Sequence, residues 1–153
     1  MAYDRYNNRN NHHGSNRNHE KIELSKIVLD YEQNEQLFGD IAKNWAKQVE
    51  NESFNDRGKS NGKNKINQIR AFYDKVLELQ EKSEGMDDIE YKREVYPFVV
   101  MLRSKVAYAK SRGLISNTFE KMINQCVDEA TTVKKMQNFK YFFEALIGFY
   151  PKK

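Results

Sequence analysis

Few side chains in this 153-residue chain can carry acid–base or nucleophilic chemistry, and their placement does not favour it. Its three histidines, His12, His13 and His19, all fall in the first 19 residues, MAYDRYNNRNNHHGSNRNH. A histidine base there would need that segment to fold over the rest of the chain. A zinc site is not indicated either, because no cysteine or closely spaced carboxylate accompanies the histidines. Cys126 is the only cysteine, so neither a disulfide nor a cysteine metal centre forms within one chain. Carboxylates pair as Asp87/Asp88 and Asp128/Glu129, but adjacent residues on a helix project in different directions. Glu144, set between aromatic residues, is the one carboxylate in an unusual setting, and an exposed or Lys/Arg-paired side chain is its plainer reading. No Gly-rich phosphate loop, nucleophile elbow or His-Glu-x-x-His motif is present. These residue types offer no catalytic constellation, no metal site and no cofactor site.

What the chain does offer is cations in register. In PFVVMLRSKVAYAKSRG, residues 97–113, Phe98, Leu102, Val106 and Ala109 recur at 4, 4 and 3 residues, the mark of one helical face. Arg103 and Lys110 fall on one flank of that stripe. Lys105 and Arg112 fall on the other, with Tyr108 beside Lys105. No acidic residue occurs from Phe98 to Gly113. Two basic rails beside a buried face suit a polyanion. The competing reading is that long cations snorkel beside apolar stripes, and that cations near a helix C-terminus complement its dipole.

The elements that hold these residues read as helices. Pro97 suits a first helical position and Gly113 a position just past a helix end. Residues 20–50 predict a short helix (Ile22, Ile27, Leu29, Tyr31) and a longer one (Leu37, Phe38, Ile41, Trp45, Val49). Residues 51–64, with two Gly and four Asn, predict a flexible loop. Residues 65–83 form a strong amphipathic helix with Ile66, Ile69, Phe72, Tyr73, Val76 and Leu77 inward, Lys65 at its start and Arg70 at the edge of its stripe. A helix over 89–96 should restart at Pro97. Asn117 and Glu120 resemble a capping box ahead of a face of Phe119, Met122, Ile123, Cys126, Val127, Ala130 and Val133. The last helix, 138–150, places Phe139, Phe142, Phe143, Leu146, Ile147 and Tyr150 together. No segment alternates convincingly at period 2. The expectation is an all-α compact bundle of five to six helices over residues 20–150, behind a disordered Asn/His-rich tail at 1–19.

Charge and hydropathy narrow the class further. Residues 1–62 hold 9 Lys/Arg against 10 Asp/Glu, and residues 63–153 hold 17 against 12, so the net +4 resides in the second part. That imbalance points mildly to a polyanionic partner. The longest apolar run, Phe98 to Leu102, is far too short to span a bilayer, and no signal-peptide pattern opens the chain. With its lone apparently buried thiol, the chain reads as a cytoplasmic protein.

Three blocks in order then resemble one family, the small subunit of type III-A CRISPR effector (Csm) complexes. The first is a Gln-Ile-Arg-x-Phe-Tyr opening, met by Gln68, Ile69, Arg70, Phe72 and Tyr73. The second is a basic core, met by Leu102, Arg103, Lys105, Tyr108, Ala109 and Arg112. The third is an aromatic segment, met by Phe139, Phe142, Phe143, Glu144 and Ala145. The resemblance covers residues 65–150. It implies a helical bundle without enzymatic activity that stacks along the inner side of a ribonucleoprotein, beside the backbone and large subunits. It also implies contact with crRNA and target RNA through basic residues, for which Lys65, Arg70, Arg103, Lys105, Tyr108, Lys110 and Arg112 are the candidates. The rival reading is a helical protein–protein adaptor whose rails meet acidic partner surfaces; another is an enzyme whose site forms only in an oligomer.

Overall fold

In the computed structural model, residues 22–151 are described, and among them helices account for every named element. The tail expected at 1–19, with its histidines, lies outside them. A π-helical turn, Leu37–Ile41, runs into α1 (Ala42–Asn51). There follow α2 (Ile66–Ser83), α3 (Asp88–Glu94), α4 (Tyr96–Val100), α5 (Leu102–Ser111), α6 (Asn117–Glu129) and α7 (Val133–Phe149). Met101, between α4 and α5, has helical dihedrals (φ −63°, ψ −18°), so α4 and α5 make one bent helix and the described residues form six α-helices. An isolated bridge between Phe54 and Ser60 is the sole strand-like pairing among the described residues.

The core is built on α7. Phe139, Phe142, Phe143 and Leu146 are completely buried, and α1 and α2 lie against them. Phe143 meets Phe119 of α6 and Tyr73 of α2 at ring separations of 6.1 and 5.6 Å, and Phe119 meets Phe72 at 5.4 Å. Burying one such side chain stabilises the fold by about 1.5–3 kcal/mol. This explains why the aromatic residues of α2, α6 and α7 recur at helical spacing.

Boundaries follow local chemistry. Asp87 caps α3 by accepting from the Glu90 N–H at 2.8 Å, while the Asp88 carboxylate accepts from Val133 N–H at 3.0 Å and ties α3 to the start of α7. Pro97 has no N–H to offer residue 93, which is where α3 gives way to α4. Gly113 (φ 73°) ends α5 in a Schellman arrangement: its N–H bonds Lys110 O at 2.9 Å and Leu114 N–H bonds Ala109 O at 3.0 Å.

Four expectations are corrected. The short helix expected over residues 22–31 is an extended strap, with Ile27 and Leu29 both fully buried. Side chains satisfy its backbone: Ile27 N–H bonds Gln125 Oε1 at 2.9 Å, Leu29 N–H bonds Glu129 Oε1 at 3.2 Å, and Asn138 Nδ2 donates to Leu29 O at 2.8 Å. Trp45 Nε1 donates to Ser25 O at 3.1 Å. The capping box at Asn117/Glu120 does not form. Ser116 is the N-cap, its hydroxyl already accepting from Asn64 Nδ2 at 2.8 Å, and Glu120 turns instead to Lys110. The last helix begins at Val133 rather than 138, because Thr132 accepts from Lys135 N–H at 3.2 Å and caps it there. Phe98 does not share the buried face: Val95, Val99, Leu102, Val106 and Ala109 do, and Phe98 is 49% exposed.

Residues 52–64 form a hydrogen-bonded turn that ends on a buried hub. Asn64 receives the Tyr150 hydroxyl on its carbonyl at 2.6 Å, and the Tyr150 phenol is pushed up to about 12 by burial first and the Glu50 charge second. The Tyr91 hydroxyl, donating to Ala130 O at 2.5 Å, is raised further, mainly by burial. Both phenols are held neutral above the ordinary value near 10. Their contribution is therefore complete below pH 10 and is lost as pH rises through their folded values. Thermal melts at pH 8, 10 and 11 should show stability falling above pH 10, and Tyr150→Phe should flatten that fall. An unchanged slope in the variant would show that this phenol does not control it.

Candidate nucleic-acid interface

Leu102, Val106 and Ala109 are buried, and α5 packs on α6. That contact orients everything else on α5. It turns one rail along the surface toward α6: Arg103 forms an ion pair with Asp128 of α6, and Lys110 Nζ lies 3.1 Å from Glu120 Oε1. Their charges are answered within the fold, although partly exposed pairs of this kind contribute only about 0–1 kcal/mol.

The other rail faces solvent. Lys105 is exposed and has no ionic partner among the described residues. Tyr108 is 62% exposed. Arg112 Nη1 donates to the Tyr108 hydroxyl at 2.8 Å, with the guanidinium 5.5 Å from the ring centroid. The phenol thus holds Arg112 along the helix, four residues apart, rather than letting it sweep through solvent. Lys105 and Arg112 are separated by about 10 Å of helix axis, seven residues at the helical rise.

Upstream, Phe98 and Met101 (52% exposed) continue the same face, since positions 98, 101, 105, 108 and 112 step by 3, 4, 3 and 4. Lys82 of α2 reaches over Phe98 at 5.6 Å. Sequence reasoning placed Phe98 inward and so missed the apolar end of this stripe. The 3-4-3-4 spacing was the available signal.

The two α2 candidates separate. Lys65 is the exposed N-cap of α2, next to Asn64, whose N–H bonds Leu114 O at 3.0 Å. The backbone at Lys65 thus starts one residue from a bond to the segment just past the end of α5. Arg70 is elsewhere: α2 packs on α7, and Arg70 shares a shallow depression with Tyr73, Asp74, Glu144 and Ile147. Burial, and then the charges of Glu144 and Asp74, raise the Tyr73 phenol. Two carboxylates beside Arg70 make that corner mixed in charge rather than basic. The stripe thus gathers Lys105, Tyr108 and Arg112; Lys65 stands at the start of α2, and Arg103, Lys110 and Arg70 belong to other surroundings.

Among the described residues no three His, Cys, Asp or Glu side chains converge as a metal site. No helix there is long and apolar enough to cross a membrane.

The three sequence blocks fall on α2, α5 and α7, two of them meeting through the Tyr73–Phe143 contact at 5.6 Å. No curated protein and no solved structure matches the chain. A family model described as Csm2 Type III-A matches residues 32–152, a span that takes in every helix and all seven candidate residues. The chain belongs to this family, the small subunit of type III-A CRISPR complexes.

Proposed function

We propose that the chain is a non-catalytic small subunit that holds the crRNA–target RNA duplex by its backbone, through the outward stripe of α5, in antiviral defence within the cytoplasm. The observation that carries this reading is the division of the α5 cations: two are neutralised by α6, and two stand in line on a solvent face with an ordered tyrosine between them. Guide pairing supplies sequence specificity, so the subunit needs only phosphate and 2′-hydroxyl contacts. A rigid helix offers such contacts without ordering a loop on binding.

The apolar end of the stripe suits protein. Phe98 and Met101 lie where a neighbouring copy, a backbone subunit or the large subunit can cover them while RNA occupies the cationic end. An adaptor role without RNA contact would use the same apolar end, and only the cations distinguish the two. The test is purification of the tagged full chain from cells carrying the whole system. Recovery of crRNA with the other subunits is expected, and recovery of the subunits with Lys105→Ala/Arg112→Ala but with reduced target RNA retention supports the backbone role. Full target retention by that variant would favour the adaptor.

A further inference from the structure

A second exposed surface lies away from the α5 stripe and takes no part in the reading above. Three rings from three elements stand in series: Tyr31 at the end of the strap, Phe38 of the π-helical turn and Tyr141 of α7. Tyr31 and Phe38 are 6.2 Å apart and Phe38 and Tyr141 5.9 Å. The outer two are 46% and 41% exposed, a large aromatic area for solvent to cover. Around them the chain is acidic: residues 27–42 include Asp30, Glu32, Glu35 and Asp40 and no Lys or Arg.

The fold already shows what such a surface accepts. Lys134 Nζ sits 3.1 Å from Glu32 Oε1 and 6.0 Å from the Tyr31 ring centroid, and its ammonium is held charged above the usual range chiefly by that bond. Lys140 Nζ stands 4.2 Å over Tyr141. Cations on ring faces beside carboxylates are favourable, and arginine makes such contacts more often than lysine. Asp30, Glu35 and Asp40 have no ionic partner among the described residues.

We infer that the Tyr31–Phe38–Tyr141 face is the docking surface of the chain's own N-terminal segment, residues 1–21, seated through its arginines. That segment carries Arg5, Arg9, Arg17 and Lys21 against Asp4 and Glu20, so its charge complements the face. It joins the fold at Ile22, at the head of the strap that leads to Tyr31. Tethering at that distance gives an effective concentration in the millimolar range, enough for individually weak cation–π and ion-pair contacts to be occupied. A nucleic acid is disfavoured here, because the three carboxylates without an ionic partner, Asp30, Glu35 and Asp40, repel phosphate. The docked segment keeps its arginines off the α5 stripe, leaving that face open.

The test uses the full chain, 15N-labelled, with a nitroxide on Asn10→Cys. Cys126 is fully buried, so the reagent meets only the new thiol. Docking predicts loss of amide signal confined to residues 30–40 and 134–141. That loss should disappear in about 1 M salt, where the screening length is about 3 Å. Tyr31→Ala with Glu32→Gln should abolish it, as should Arg5, Arg9 and Arg17→Gln, which leaves residues 22–151 untouched. Signal loss spread evenly over the surface, centred on α5, or insensitive to the arginine replacements would overturn the proposal. So would loss appearing only when label and isotope are on different molecules, which would mean a second copy is the occupant.

Discussion

In a reconstituted complex, replacing Lys105 and Arg112 together by alanine should lower target RNA affinity, while replacing Arg103 and Lys110 should leave it nearly unchanged. The asymmetry follows from what each cation already does. Arg103 and Lys110 are engaged by Asp128 and Glu120, and the other two meet no carboxylate. A hydrogen bond to a charged group is worth about 1.5–3 kcal/mol, so losing two predicts a drop of roughly a hundredfold or more, since each 1.4 kcal/mol is tenfold. The effect should be similar for unrelated guide sequences, and the slope of log affinity against log salt should fall by up to about two units. Folding should survive all four replacements, because these side chains lie on the surface and such changes usually cost within about 0.5 kcal/mol. Equal losses from the two pairs would mean that the α6 carboxylates release their partners on binding.

Asn64→Ala should be the most damaging polar substitution in the fold. Asn64 is 1% exposed, and its side chain donates to Val49 O at 2.9 Å and Ser116 Oγ at 2.8 Å while accepting from Ser116 N–H at 2.9 Å. Alanine leaves those groups buried without partners, at about 1–3 kcal/mol each. It also inherits a φ of 57°, which asparagine tolerates and alanine does not. The expected loss is about 4 kcal/mol, roughly 15 °C of melting temperature for a domain of this size. Asn64→Gly relieves the backbone but not the hydrogen bonds, so it should recover about 1 kcal/mol of that loss. Urea and thermal denaturation read both; a loss below 1 kcal/mol for the alanine variant would show that the 52–64 turn contributes little to the folded state.

How far the sequence foretold this molecule depended on whether a signal was local. The faces of α6 and α7, and of α2 except that Leu79 rather than Leu77 is buried, were legible because each repeats apolar residues over three or more turns, and the aromatic spacing of 139–146 left one way to bury it. The strap was not legible. Ile27 and Leu29 alternate over only three residues, and the groups that satisfy their backbone, Gln125, Glu129 and Asn138, are about a hundred residues away. Phe98 was misplaced for a related reason: Val95 and Val99 offer an equally good phase, and only packing on α6 chooses between them. The rails were visible as charges, but their different fates were not, since Asp128 and Glu120 looked like ordinary solvated residues of another helix. Asn64 passed as one more loop asparagine, because its partners come from α1, the start of α6 and Tyr150.

Contact is tested most directly by ultraviolet cross-linking of the assembled, target-bound complex, followed by peptide mass spectrometry. Tyr108 is exposed and stands between the two cations assigned to phosphates. RNA adducts on the peptide containing Tyr108, lost when Lys105 and Arg112 are replaced, are the predicted result. Adducts confined to other surfaces of the subunit, with the α5 stripe joined only to protein, would contradict it.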